Sequence, residues 1–231
     1  MESLVIIPAR GGSKGIPHKN IKPLAGKSLI CYTIDVARSI CHDEDICVST
    51  DDPEIIKVVE DYGLKVPFVR PAELATDKAG TYGVLLHALK FYEDKGKHYD
   101  NIVLLQNTSP FRKVEHLKDA IKLYSPDIDM VVSVVETSSN PYYNCFEEDD
   151  NGYLHISKGD GKFVRRQDVP TTYAYNGAIY IINPESLKRE SLGEFKRRVK
   201  YVMDETSSVD LDTMLDWSYA EFLIKENIVV L

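Results

Sequence analysis

Leu4-Val5-Ile6-Ile7-Pro8-Ala9-Arg10-Gly11-Gly12 runs from an unbroken apolar stretch straight into a basic, glycine-rich turn. A short continuous apolar run closed by glycines predicts a strand buried on both faces. The same grammar repeats downstream. Leu29, Ile30, Thr33, Ala37 and Ile40 recur at helical spacing, and Ile46-Cys47-Val48 reads as a second buried strand ending in Ser49-Thr50-Asp51-Asp52. Pro53 sits at a first helical turn, the one place a helix accepts it, and Gly63 marks the stop after Ile55, Ile56, Val59 and Tyr62. Lys65–Val69 is predicted as a strand, followed by a helix on Val84, Leu85, Ala88, Leu89 and Tyr92. Next come a strand at Asn101–Leu105, a helix marked by Val114, Leu117, Ile121 and Tyr124, and a strand at Asp129–Val134. Strand–helix units of this length predict an α/β fold, a Rossmann-like, mostly parallel sheet with helices on both faces.

The rhythm breaks over 136–175. Asn140-Pro141-Tyr142-Tyr143, the acidic run Glu147–Asp150 and the turn dipeptide Asn151-Gly152 leave no room for a crossover helix. A small hairpin lobe, serving as a lid or a dimer contact, is expected there. Regular structure is predicted to resume at Gly177-Ala178-Ile179-Tyr180-Ile181-Ile182, and a last helix covers about Thr213–Lys225.

The chain has 231 residues, 43% hydrophobic and 28% charged, which suffices for one core without staples. A net charge of -8 argues against a general nucleic-acid or membrane-surface binder, since both need a positive field. No stretch approaches the ~20 apolar residues of a membrane span. Met1-Glu2-Ser3 has neither a basic n-region nor a cleavage site, so no signal peptide is expected. Cys31, Cys41, Cys47 and Cys145 lack CxxC spacing, and reduced thiols in a cytoplasmic protein are the expectation.

Ligands of open α/β sheets lie beyond the carboxyl ends of the strands, where the loop Ala9–Pro23 emerges. Glycines let backbone N–H groups approach an anion, and Arg10, Lys14 and Lys19 add charged donors suited to a triphosphate. Neither GxxxxGK[ST] nor GxGxxG spacing is present, so this is not a Walker A or a dinucleotide loop. Asp210 and Asp212, two apart on a segment read as extended, project to one face and offer hard oxygen ligands for Mg²⁺.

The string IPARGGSKGIPHKNIKPLAGKSLI at 7–30 resembles the N-terminal signature of the acylneuraminate cytidylyltransferases, the CMP-sialic acid synthetases. VSTDD at 48–52, RPAELATD at 70–77, LLQNTSPFR at 104–112, RRQ at 165–167, NGAIY at 176–180 and VDLD at 209–212 match in the same order across nearly the whole chain. The resemblance implies a single nucleotidyltransferase domain over 1–231 that couples CTP to a nonulosonic acid and releases pyrophosphate, in a homodimer. It implies nucleotide binding by Arg10, Gly12, Ser13, Lys14, Asn20, Arg70 and Thr81, and a metal site of Asp210 and Asp212. Sugar contacts would fall to Gln106, Ser109, Arg165, Gln167 and Tyr180, with Arg166, Lys19 and Asp212 in catalytic roles. In similar enzymes an arginine of the RRQ motif reaches the partner's site. Asp216 is left outside the site as a solvent-facing or capping residue. Sialic-acid enzymes of the family commonly carry Arg-Pro before Asn-Gly-Ala-Ile-Tyr. Here Ala174-Tyr175 stands in that place, which leaves CTP activation to other cations and the sugar's identity open. The proton acceptor is open too, between Asp210 and a water.

Overall fold

The computed structural model describes residues 1–76 and 79–231. Its strands are β1 (Ser3–Pro8), β2 (Pro23–Leu24), β3 (Lys27–Ser28), β4 (Ile46–Ser49), β5 (Asn101–Leu105), β6 (Met130–Glu136), β7 (Phe146–Glu148), β8 (Leu154–Ile156), β9 (Tyr173–Ile182) and β10 (Arg198–Val202). The helices are α1 (Leu29–Arg38), α2 (Pro53–Asp61), α3 (Thr81–Glu93), α4 (Val114–Lys122), α5 (Pro184–Arg189) and α6 (Met214–Lys225). The main sheet runs β10-β6-β9-β5-β1-β4, parallel except where β9 pairs with β5 and β6. This is the mostly parallel α/β sheet that the strand–helix alternation predicts.

Alternation along the buried strands feeds two cores. Val5, Ile7, Val48, Val103 and Leu105 face α1, α2 and α4, whereas Leu4, Ile6, Cys47, Ile102 and Leu104 face α3 and α5. A third, smaller cluster gathers Ile16, Leu24, Leu29, Phe111, Leu211 and Trp217. It packs α6 against the loop after β1. Ile16 and Leu211 are both fully buried in it, so the sequence joins its first loop to its late aspartates with apolar contact.

Four expectations need correction. Lys65–Val69 is not a strand; only Val69 bridges Thr50, beyond the edge strand β4. Pro67 removes an N–H in the middle of that segment, which forbids a regular ladder. Asp210 and Asp212 lie in a loop before α6 rather than on a strand, and the Leu211 N–H donates to the Thr108 carbonyl at 2.8 Å. β9 begins at Tyr173, four residues before Gly177, because its first residues pair with the end of β6 up to Glu136. The short helix α5 and the strand β10 are additions to the predicted elements. The excursion does contain a hairpin: β7 and β8 pair antiparallel around Asn151-Gly152, with Gly152 at φ 83°. All four cysteines are free, and burial pushes the Cys41 and Cys47 thiols up to about 12.

Candidate active site

The cleft lies at the carboxyl ends of β1 and β5. Pro8 ends β1, and the Ala9 N–H donates to the Ser49 carbonyl at 2.9 Å, so the loop leaves the sheet beside the end of β4. The Gly11 N–H donates to Asp51 Oδ1 at 3.1 Å, and a Cβ on Gly11 would come within 2.7 Å of Asp52 Oδ2. The loop then turns back through a 3-10 turn at Lys19–Ile21, where Asn20 Nδ2 donates to the Arg10 carbonyl at 3.0 Å.

Gly15 meets the late aspartates directly: a Cβ there would sit 2.0 Å from the Asp212 carbonyl oxygen. Only glycine permits that approach. Lys19 Nζ, with 13% of its side chain exposed, donates to the Leu211 carbonyl at 2.7 Å and to Asp212 Oδ1 at 3.2 Å. The two halves of the site are therefore one surface.

A cleft of about 410 Å³ is walled by Arg10, Ser13, Lys19 and Asn20 from the first loop and by Asp210 and Asp212 from the last. Arg70, Thr81 and Gln106 line it as well. Arg70 is buried, its Nε donating to Ser49 Oγ at 3.0 Å and its Nη2 to the Ser49 carbonyl. Burial pushes its pKa down, against the pull of Asp51. Thr81 is the first residue of α3, so it meets the cleft at that helix's N-terminus. Leu74, Ala79 and Val84 form the apolar wall nearby.

Asp210 keeps solvent access toward the cleft, yet protein crowds its other sides, and this desolvation raises its pKa. A hydrogen bond from Thr108 opposes that shift and the Asp212 charge adds to it. Two neighbouring carboxylates, one of them held up by burial, are a donor set that a hard cation relieves. Mg²⁺ keeps several waters and binds through one or two carboxylates plus phosphate, so this pair fits it. No group of three or more His, Cys, Asp or Glu suited to a metal occurs among the described residues.

Several expected site residues lie elsewhere. Gly12 lines a smaller adjoining cavity of about 180 Å³ with Arg10 and Ser13, and Lys14 is exposed on the same loop. Ser109 is fully buried and donates to the Asn176 carbonyl at 3.4 Å instead of lining the cleft. Tyr180 packs edge-on against Tyr175 at 6.2 Å and feels the Asp210 charge. Arg166 and Gln167 line a separate cavity of about 440 Å³ with Glu136 and Thr137 at the foot of the excursion. Arg165 is exposed and pairs with Asp168 at 2.7 Å. The last residue of the RPAELATD match, Asp77, lies outside the described residues. Asp216 does cap α6: its Oδ2 accepts from the Thr213 N–H at 2.7 Å.

Two cleft residues escaped the sequence reading although they lie inside the LLQNTSPFR string. Thr108 holds Asp210 and Leu211. Asn107 is buried, its Nδ2 donating to Asn20 Oδ1 at 3.1 Å and to the Pro8 carbonyl at 3.4 Å. Their place between the expected site residues Gln106 and Ser109 was the available signal.

Fold and cleft together define an α/β protein with a charge-lined cleft at the carboxyl edge of its sheet. The chain belongs to the cytidylyltransferase family, whose model matches residues 4–228. It is 41% identical over 221 residues to an N-acylneuraminate cytidylyltransferase of Streptococcus agalactiae serotype III (94% of this chain, 52% of the relative). The chain thus spans about half the length of that relative. It is 34% identical over 228 residues to a CMP-N,N'-diacetyllegionaminic acid synthase of Legionella pneumophila (98% of each chain). Among solved structures, a CMP:2-keto-3-deoxy-manno-octonic acid synthetase complexed with CTP matches with a TM-score of 0.71 at 17% identity. That match covers 98% of this chain and all of the other, and it establishes the shared fold.

Proposed function

We propose that this chain couples CTP to the anomeric hydroxyl of a nonulosonic acid, giving the CMP-sugar and pyrophosphate. One observation carries the reading: Arg10, Lys19, Arg70, Asp210 and Asp212 line one cleft large enough for a single nucleotide. The cleft's apolar wall at Leu74, Ala79 and Val84 suits a flat base, with Arg70 and Thr81 as its polar contacts. Arg10, Ser13 and Lys19 suit the triphosphate. Asp210 and Asp212 would hold Mg²⁺, which supplies charge neutralisation at the phosphates when bound. The sugar hydroxyl forms the new bond to the α-phosphorus in line as the bond to pyrophosphate breaks. Its proton passes to Asp210 or to water. Arg10 and Lys19 stabilise the charge that develops on the leaving group.

The reading extends to a cytoplasmic homodimer with Arg166 serving the partner's cleft. Phe146 (55% exposed), Tyr153 (73%), Leu154 (69%) and Val164 (83%) stand out on the excursion, as an unpaired contact surface would. Among the described residues no helix is long and apolar enough to cross a membrane. The sugar is an N-acetylneuraminate or N,N'-diacetyllegionaminate type, after the relatives.

Pyrophosphate release across CTP, UTP, GTP and ATP, each with N-acetylneuraminate, N,N'-diacetyllegionaminate and an eight-carbon keto acid sugar, is the test. CTP-dependent turnover of a nine-carbon acid is expected. Preference for another nucleotide, or for the eight-carbon acid, defeats the assignment. CTP binding without product would make the chain a non-catalytic nucleotide-binding homologue.

A further inference from the structure

Arg112 lies outside every role assigned above. It is 4% exposed, and burial alone pushes its pKa down to about 9, so the guanidinium stays charged near neutrality. A buried arginine ordinarily faces a carboxylate. Among the described residues this one donates only to neutral acceptors: Nη1 to the Gln106 carbonyl at 3.1 Å and the Ala178 carbonyl at 2.7 Å, Nη2 to Thr33 Oγ1 at 3.1 Å. Its Nε is buried with no hydrogen-bond partner. A desolvated charge with no counter-ion among the described residues is expensive, and an aliphatic side chain would fill the space at lower cost.

What the fork does is geometric. Gln106 follows β5, and Ala178 belongs to β9, where residues 176–179 stand opposite Ser133 in a bulge of the β6–β9 ladder. Gly177 within that bulge has φ 75°, and a Cβ on it would lie 2.8 Å from Gln106 Oε1. The Gln106 amide is therefore backed by the Gly177 backbone, while the Gln106 main chain hangs from Arg112. Ser109 adds a tie to the Asn176 carbonyl in the same place. Only a planar, multi-donor group reaches a carbonyl just past β5, another within β9 and a hydroxyl from α1 at once. Gln106 lines the cleft; Arg112 does not.

We propose that Arg112 is a positioning residue that sets Gln106 for the keto acid sugar, acting through the backbone of Gln106 and Ala178. The inference rests on the cytidylyltransferase reading and deepens it. The test is steady-state kinetics of the full chain with CTP and whichever nonulosonic acid the wild type uses. Arg112→Lys keeps the charge and loses the fork. It is expected to raise the KM for the sugar roughly tenfold or more while the KM for CTP stays within about twofold. Arg112→Lys combined with Gln106→Ala is expected to be no worse for the sugar than Gln106→Ala alone, as a residue acting through another requires. Thr33→Val, a small change inside α1, removes one acceptor and should reproduce the sugar-selective rise in weaker form even if the lysine variant fails to fold. Equal shifts in both KM values, no shift, or additive effects with Gln106→Ala overturn the proposal while leaving the activity standing. A wild type inert with every nucleotide–sugar pair overturns both readings.

Discussion

Lys19 shows how much one side chain decides at this site. Its ammonium holds the Leu211 carbonyl and Asp212 Oδ1 while lining the cleft. Lys19→Met removes both the tether and a cation aimed at the phosphates, and kcat is expected to fall by ~10²–10³. Asp212→Ala should abolish turnover without unfolding the chain; circular dichroism melts alongside pyrophosphate release check this, and near-wild-type activity would refute the metal assignment. Residue identities at the cleft were largely legible because their types announce their chemistry: Arg10, Lys19, Asp210 and Asp212 are charged groups in a pattern. Asn107 and Thr108 were not, since amides and hydroxyls in loops serve turns as often as ligands. Arg70 was marked only by its place in the RPAELATD match, and its burial on Ser49 comes from tertiary packing that no local pattern encodes.

At the scale of elements, two junctions carry predictions. Gly15→Ala drives a methyl into the Asp212 carbonyl, where backbone rather than a flexible side chain must give way. CTP affinity by calorimetry is expected to drop at least about tenfold, since even a small displacement of a binding group is costly. Asp129 is the second. Its carboxylate accepts from the Arg197 side chain at 3.0 Å, the Arg197 N–H at 2.8 Å and Ser186 Oγ at 2.8 Å, fastening the start of β6 to α5 and to the approach to β10. The Arg197 hydrogen bond leads in holding its pKa well below the usual carboxylate range. Folding therefore favours the ionised form, so this stabilisation is complete above pH ~4, the ordinary aspartate value, and fades as pH falls below it. Asp129→Asn is expected to cost about 2–3 kcal/mol at pH 7, roughly 4–12 °C in Tm, with the gap to wild type shrinking in acid melts. Two of the elements that escaped prediction, α5 and β10, lie at this end of the chain. α5 is under two turns, and β10 is an edge strand whose arginine and lysine alternate with half-buried residues. Lys65–Val69 erred the other way: apolar content suggested a strand, but Pro67 and the sheet edge allow only a single bridge.

For the whole molecule, the catalytic role proposed for Arg166 calls for a second subunit, because the residue lies in a cavity apart from its own chain's cleft. If it serves a partner's site, Arg166→Ala and Asp212→Ala chains are each inactive, and mixing them restores about a quarter of wild-type activity, because half the dimers are mixed and each holds one intact site. No recovery, or a fully active monomer by light scattering, excludes the cross-subunit role. Five of the six strands of the main sheet, all but β10, were readable from their apolar patterns, whereas its order and the antiparallel placement of β9 depend on long-range pairing. α6 joins these scales. Trp217, the chain's lone tryptophan, is 1% exposed beneath the first loop and lies four residues after Thr213, the N-cap that follows the aspartate segment. Its indole donates to Glu221 at 3.1 Å and lies 5.1 Å from the Lys22 ammonium. The unlabelled chain thus carries a native optical probe at the seam between its first loop and the aspartate segment, and on the proposed reading its emission is expected to shift when CTP is titrated in, without any dye.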